Sequence, residues 1–280
     1  MIQFQNKEFA TKKELFAFLV ENKAQLIAQK KAVKKEVDCS VLVAPVRVNE
    51  KVSTKKWSTL EEEITEPDPD VMKVVCVINT TNFLDSHNDL HLPGIWEKSI
   101  KENKMIMHLQ EHEMEFEKII SEGKDLNVYT KQYKWSELGY PYKGTTEALV
   151  FESTIRRKRN EFMFEQYSNG WVKNHSVGMY YVKMAMAIND EDYPNEYEAW
   201  NKYYPEIANP ETADGRGYFW YVLEAKCVEG SAVPIGSNTA TPTLETGKNE
   251  PLDTHDILKP ESSTSKGINY EYLIKNLKLK

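Results

Sequence analysis

The run Trp171-Val-Lys-Asn-His-Ser-Val-Gly-Met-Tyr180, continued to Ile188, reads as a β-strand dense in apolar, β-branched and aromatic residues. Successive strand side chains alternate between faces, so Ser176 shares a side with Val172, Gly178, Tyr180, Val182 and Met184. His175 then points the other way and is poorly placed to deprotonate its neighbour. A serine hydroxyl is a weak nucleophile until a base within hydrogen-bond reach takes its proton. Two readings follow for Ser176: a strand serine satisfied by backbone, or a nucleophile whose base comes from another part of the chain.

Outward from this strand, residues 71–78 read as a buried strand, 127–135 as one with Tyr129, Tyr133 and Trp135 on one face, and 148–155 as another. Residues 161–167 predict a short helix stopped by Asn169-Gly170. Residues 217–233 are strand-like, and 189–216 form a surface excursion, with Pro, Asp and Asn breakers around a helical stretch. Several strands with few helices predict an α+β fold, with a mainly antiparallel, β-barrel-like core and surrounding helices. This core occupies residues 69–236. Before it, 8–37 read as helical from Phe9, Leu15, Leu19, Leu26 and Ile27, and the proline-broken acidic run 61–70 closes a helical N-terminal arm and linker over 1–68. After it, 237–280 read as a polar flexible tail, with a short terminal helix over 269–280.

The chain of 280 residues is 40% apolar and 11% aromatic, enough for a sizeable core. Its net charge of −7 gives no support to a nucleic-acid-binding surface. No apolar run approaches the ~20 residues that cross a bilayer, and the first residues do not resemble a signal peptide. Three widely spaced cysteines, Cys39, Cys76 and Cys227, read as reduced thiols without a CxxC zinc pattern. A soluble intracellular protein is the expectation. P-loop, GxGxxG and G-x-S-x-G motifs are missing, which leaves nucleotide-binding folds and the common α/β hydrolases with little support.

A base for Ser176 is available in Met105-Ile-Met-His-Leu-Gln-Glu-His-Glu-Met114, as His108 or His112. The same segment spells H-x-x-E-H, an arrangement of two zinc ligands and a general base that requires a helix and a third ligand. In 217–229, strict alternation places Phe219, Tyr221, Leu223, Ala225, Cys227 and Glu229 on one face, and a carboxylate at its end suits the orienting of an imidazole. Glu224 falls on the other side, where a cross-strand ion pair explains it. Asp85-Ser-His-Asn-Asp-Leu-His-Leu-Pro-Gly94 alternates acids and histidines, but Asn82, Asn88 and the Pro-Gly pair favour a turn over a metal site. Arg156, Arg157 and Arg159 read as a solvated basic loop.

Four blocks, in order, carry a resemblance: Asp85-Ser-His-Asn-Asp-Leu-His-Leu-Pro-Gly-Ile-Trp96, His108-Leu-Gln-Glu-His112, Asn174-His-Ser-Val-Gly178 and Glu229-Gly-Ser-Ala-Val233. Over roughly residues 71–241 the chain resembles the prohead serine proteases of tailed bacteriophages, which share a fold with the herpesvirus assemblins. The resemblance implies Ser176 as nucleophile, in a Ser-(Ile/Val)-Gly strand motif, and His112 as base in preference to His108. It carries an acidic third member over to Glu229, with His175 as the substitute. It further implies a serine endopeptidase without cofactor, located in the host cytoplasm inside the assembling procapsid. There it cleaves scaffolding protein, major capsid protein and itself. The rival expectations are a zinc metallopeptidase using the HxxEH segment and a non-enzymatic capsid assembly or scaffold protein.

Overall fold

A computed structural model describes residues 2–5, 7–34, 68–103 and 105–247. The chain opens with a hairpin of β1 (Ile2–Phe4) and β2 (Lys7–Phe9), then α1 (Lys12–Glu21) and α2 (Lys23–Ala32). Thr11 caps α1 by accepting from the Glu14 amide, while Glu14 accepts from the Ala10 amide. After residue 67 come β3 (Val71–Thr80), β4 (Asp89–His91), α3 (Glu97–Glu102), β5 (Met107–Gln110), β6 (Ile119–Glu122), β7 (Leu126–Lys134) and β8 (Thr145–Arg156). The chain continues through α4 (Glu161–Ser168), β9 (Asn174–Ile188), α5 (Pro194–Tyr203), α6 (Pro210–Arg216), β10 (Tyr218–Val233) and β11 (Thr243–Thr246).

The fold is α+β, built on two larger sheets. In one, β10 is the hub: it runs antiparallel to β9, and parallel to β4 over Trp220–Val222 and to β5 over Glu229–Ala232, with β6 beyond β5. The other has the order β11-β3-β8-β7 and is antiparallel throughout. Pairing is mainly antiparallel, as expected, with β4 and β5 as parallel partners of β10, but among the described residues neither sheet closes into the expected barrel. The sheets face one another through side chains such as Ile78 and Phe151, which press on Gly230 so closely that an added Cβ would lie 2.8 and 2.6 Å from them.

The N-terminal helices belong to this core. Leu15, Phe16, Leu19 and Leu26 are buried in the same cluster as Val177, Met179, Trp220 and Phe151. The first part of the expected arm is therefore packed on the body, and it begins with a hairpin where Phe9 was read as helical. Residues 35–67, which hold Cys39 and most of the acidic run, lie outside the described residues. The expected tail also starts too early at 237. Asn238 bonds Thr80, Tyr140 donates to the Thr239 carbonyl, Thr241 donates to the His175 carbonyl, and β11 pairs with β3. A polar segment packs here because its polarity is spent on backbone and side-chain partners within the body. The expected terminal helix at 269–280 lies outside the described residues.

Among the described residues no helix is long and apolar enough to cross a membrane.

Candidate functional site

Ser176 on β9 lies directly opposite Ser231 on β10, and Gly178 lies opposite Glu229. Paired residues of an antiparallel ladder project to the same face, so Ser176, Ser231 and Glu229 share one. Strict alternation along β10 assigns Glu229 to the apolar face of Cys227, and the structure corrects this. Cys227 pairs with Met179 and Glu229 with Gly178, so Val228 is an extra residue that resets the phase. A β-bulge of this kind re-aims the side chains beyond it. Glu229 is wholly buried all the same. Gly178 makes room for it: an added Cβ there would stand 2.6 Å from Glu229 Cδ and 2.7 Å from Lys34 Cε.

His112 arrives from the end of β5. Glu111 and His112 both take left-handed backbone, with φ of 52° and 64°, a conformation costing about 1–3 kcal/mol for a residue with a side chain. Three bonds hold this turn: the Glu113 amide donates to the Gln110 carbonyl at 3.0 Å, the Glu111 amide to the Ala232 carbonyl at 3.0 Å, and the His112 amide to Ser231 Oγ at 3.1 Å. The imidazole is thereby brought against Glu229, with Nδ1 2.7 Å from Oε1. Ser231 Oγ donates to the other oxygen, Oε2, at 2.7 Å, and Lys34 Nζ lies 3.2 Å from Oε1. Burial, the largest influence, pushes the Glu229 carboxyl up. The His112 bond and charge, the Ser231 bond and the Lys34 charge outweigh it and hold the carboxyl below the ordinary range.

An ionised carboxylate only accepts, so His112 carries a proton on Nδ1 and turns Nε2 away from Glu229. Nε2 is buried without a hydrogen-bond partner among the described residues, and no bond joins it to Ser176. Ser176 itself is 5% exposed. Chemically, the arrangement is a carboxylate-oriented imidazole whose carboxylate shares a sheet face with a strand hydroxyl, the residue types used in nucleophilic acyl transfer. Ser231 and Lys34 were not singled out in the sequence. The Glu-x-Ser spacing signals Ser231, since residues two apart on a strand share a face.

The other candidates fall elsewhere. His175 points to the opposite face, as alternation requires, bonding Tyr167 and Thr241. His108 also lies on that far side, with Nδ1 2.7 Å from Ser153 Oγ. The H-x-x-E-H segment is a strand followed by a left-handed turn, so the helix that the zinc arrangement needs does not form. Asp85 to Asn88 form a turn in which Asp85 Oδ1 accepts from the His87 and Asp89 amides. Beyond it Asp89 pairs with Lys30 and accepts from Tyr181, and His91 bonds Asn79. Glu224 pairs with Lys183 at 2.8 Å and with Lys98 at 3.2 Å. Arg156, Arg157 and Arg159 bond Asp125, Asp70, Glu165 and Glu122 at the surface.

Compared with protein-family models, curated proteins and solved structures, the chain matches none.

Proposed function

We propose that the protein is a serine endopeptidase of phage procapsid maturation, with Ser176 as nucleophile, His112 as base and acid, and Glu229 orienting the imidazole. The observation that carries this reading is the convergence of three residues 53 or more positions apart in sequence onto one sheet face, with His112 and Glu229 2.7 Å apart. Glu229 holds the proton on Nδ1 and stabilises the imidazolium that forms when Nε2 takes the serine proton. Acylation then needs Ser176 Oγ and His112 Nε2 to come within about 2.6–3.2 Å, a rotamer and loop adjustment of the kind that substrate binding produces. The same reading allies the two-sheet core to the assemblins. It also makes the N-terminal segment and the polar tail regions of scaffold contact or self-cleavage. Scaffolding and major capsid proteins are its substrates, inside the assembling procapsid of the host cytoplasm.

A fluorophosphonate probe tests the chemistry, and co-expression with the neighbouring capsid gene tests the substrate. Labelling confined to Ser176 and capsid-protein truncation lost in Ser176→Ala are expected. A wild-type protein that truncates nothing and takes up no probe, yet binds capsid subunits, would show an assembly protein instead.

A further inference from the structure

His108 takes no part in the Ser176 face. It lies between the two sheets with Cys76 of β3 and His175 of β9, where one ligand atom from each comes within 4.8 Å of the others. All three side chains are wholly buried. Tyr167 of α4, also wholly buried, puts its hydroxyl into the same spot, 3.1 Å from His108 Nε2, 3.0 Å from His175 Nε2 and in hydrogen-bond contact with the Cys76 thiol.

We propose that Cys76, His108, His175 and Tyr167 form a closed binding site for a divalent ion of the zinc type. One sulfur, two imidazole nitrogens and one oxygen are a four-donor set suited to tetrahedral coordination without an open position. Both rings are anchored from behind, as metal-bound histidines are. His175 Nδ1 donates to the Thr241 carbonyl at 3.1 Å, and His108 Nδ1 lies 2.7 Å from Ser153 Oγ, which takes a 2.9 Å bond from Ser121. Each Nε2 is thereby aimed at the Tyr167 hydroxyl. Charge fits as well. A divalent ion with a thiolate and a phenolate is neutral, which a site without exposed groups requires. Without the ion, burial keeps the protons on: it pushes the Cys76 thiol up to about 12 and the Tyr167 phenol well above its ordinary range. Loading therefore releases protons and favours binding as the chain folds. The ion would join β3, β5, β9 and α4, directly behind Ser176, and its presence does not depend on the proteolytic reading.

The same atoms admit one metal-free state. Thr241 fixes the His175 proton on Nδ1, so His175 Nε2 accepts from Tyr167. Tyr167 then accepts from His108 Nε2, and His108 Nδ1 accepts from Ser153. Metal analysis of the full chain, grown with zinc and purified without chelator, separates the two. About one equivalent of zinc per chain is expected, together with a melting temperature that falls when a strong chelator is present during unfolding. Protein grown in cobalt(II) should show a thiolate-to-cobalt absorption band. Cys76→Ser and, should that variant fail to fold, His108→Gln should lose both the ion and the band. Wild-type protein with no metal above background and a chelator-insensitive melt overturns the site in favour of the hydrogen-bond chain. Metal retained in full by folded Cys76→Ser and His108→Gln overturns it equally.

Discussion

Gly178→Ala tests whether the Glu229 carboxylate must lie flat across β9. The added methyl would overlap Glu229 Oε1, the oxygen that faces His112 Nδ1, and stand 2.6 Å from Glu229 Cδ, whereas ordinary contact begins at 3.4 Å. The carboxyl carbon must therefore retreat by at least about 0.8 Å and Oε1 by more, enough to break the 2.7 Å contact with His112 Nδ1. Lys34 Cε, 2.7 Å from the same methyl, is the far part of a flexible side chain and moves at little cost. Losing a hydrogen bond to a charged group costs about 1.5–3 kcal/mol. Expressed in transition-state stabilisation, that is a roughly 10- to 150-fold slower reaction at Ser176. The assay is the rate of fluorophosphonate labelling, with the urea midpoint as the folding control. A double-mutant comparison identifies the route: on a Glu229→Gln background, Gly178→Ala should add little, because both changes act through one contact. Gly178→Ala labelled at the wild-type rate would refute the reasoning, and so would full additivity with Glu229→Gln.

Ser231→Ala removes the donor to Glu229 Oε2 and the acceptor of the His112 amide, so labelling should slow by roughly tenfold with the nucleophile intact; a wild-type rate contradicts the role given to Ser231. Gly230→Ala puts a methyl 2.6 Å from the Phe151 ring and 2.8 Å from Ile78 Cγ2, and urea denaturation should show a loss of about 1–3 kcal/mol from overpacking. His91 is held below its ordinary value of 6.5 by burial above all, with Lys30 and His87 acting in the same direction and Asp85 and Asp89 against it. The unfolded chain then takes up the His91 proton before the folded one does. Its contribution is full above 6.5 and is lost as pH falls towards the lower folded value, at up to about 1.4 kcal/mol per pH unit. The difference in urea stability between wild type and His91→Asn should shrink over that window, and a constant difference would disprove it.

Strand positions were largely legible in the sequence, because β-branched and aromatic runs mark β3, β8, β9 and β10 whatever their partners. The facing of Ser176 and His175 followed from a period of two. What period-two reasoning cannot contain is a bulge. Val228 looks like any other strand valine, yet it turns Glu229 from the Cys227 face to the Ser176 face. Long-range partners were equally hidden: Cys76, Tyr167 and Thr241 carry no local signature, and only the stacking of the two sheets brings them to His108 and His175. The segment 237–247 misled for the opposite reason, since its composition matches a loose tail while Asn238 and Thr241 find buried partners.

Lys34 offers a test of the charge balance at the same site. Its Nζ is 3.2 Å from Glu229 Oε1, and His112 Nδ1 is 2.7 Å from that oxygen, so the two nitrogens are at most about 5.9 Å apart. Two cations at that separation repel by about 3 kcal/mol at an effective dielectric of about 20. The Lys34 side chain is 16% exposed, so solvent removes only part of this. When Ser176 gives up its proton, His112 becomes a cation beside an existing one, and Lys34 opposes the charge that Glu229 stabilises. Lys34→Met keeps most of the apolar stem and removes the charge, while Glu229 retains His112 and Ser231 as partners. Half of the calculated repulsion corresponds to roughly a tenfold faster reaction. Fluorophosphonate labelling should therefore accelerate in Lys34→Met even where urea shows the fold weakened by the lost ion pair. Slower labelling at an unchanged urea midpoint would mean that Lys34 positions Glu229 and does not compete for it.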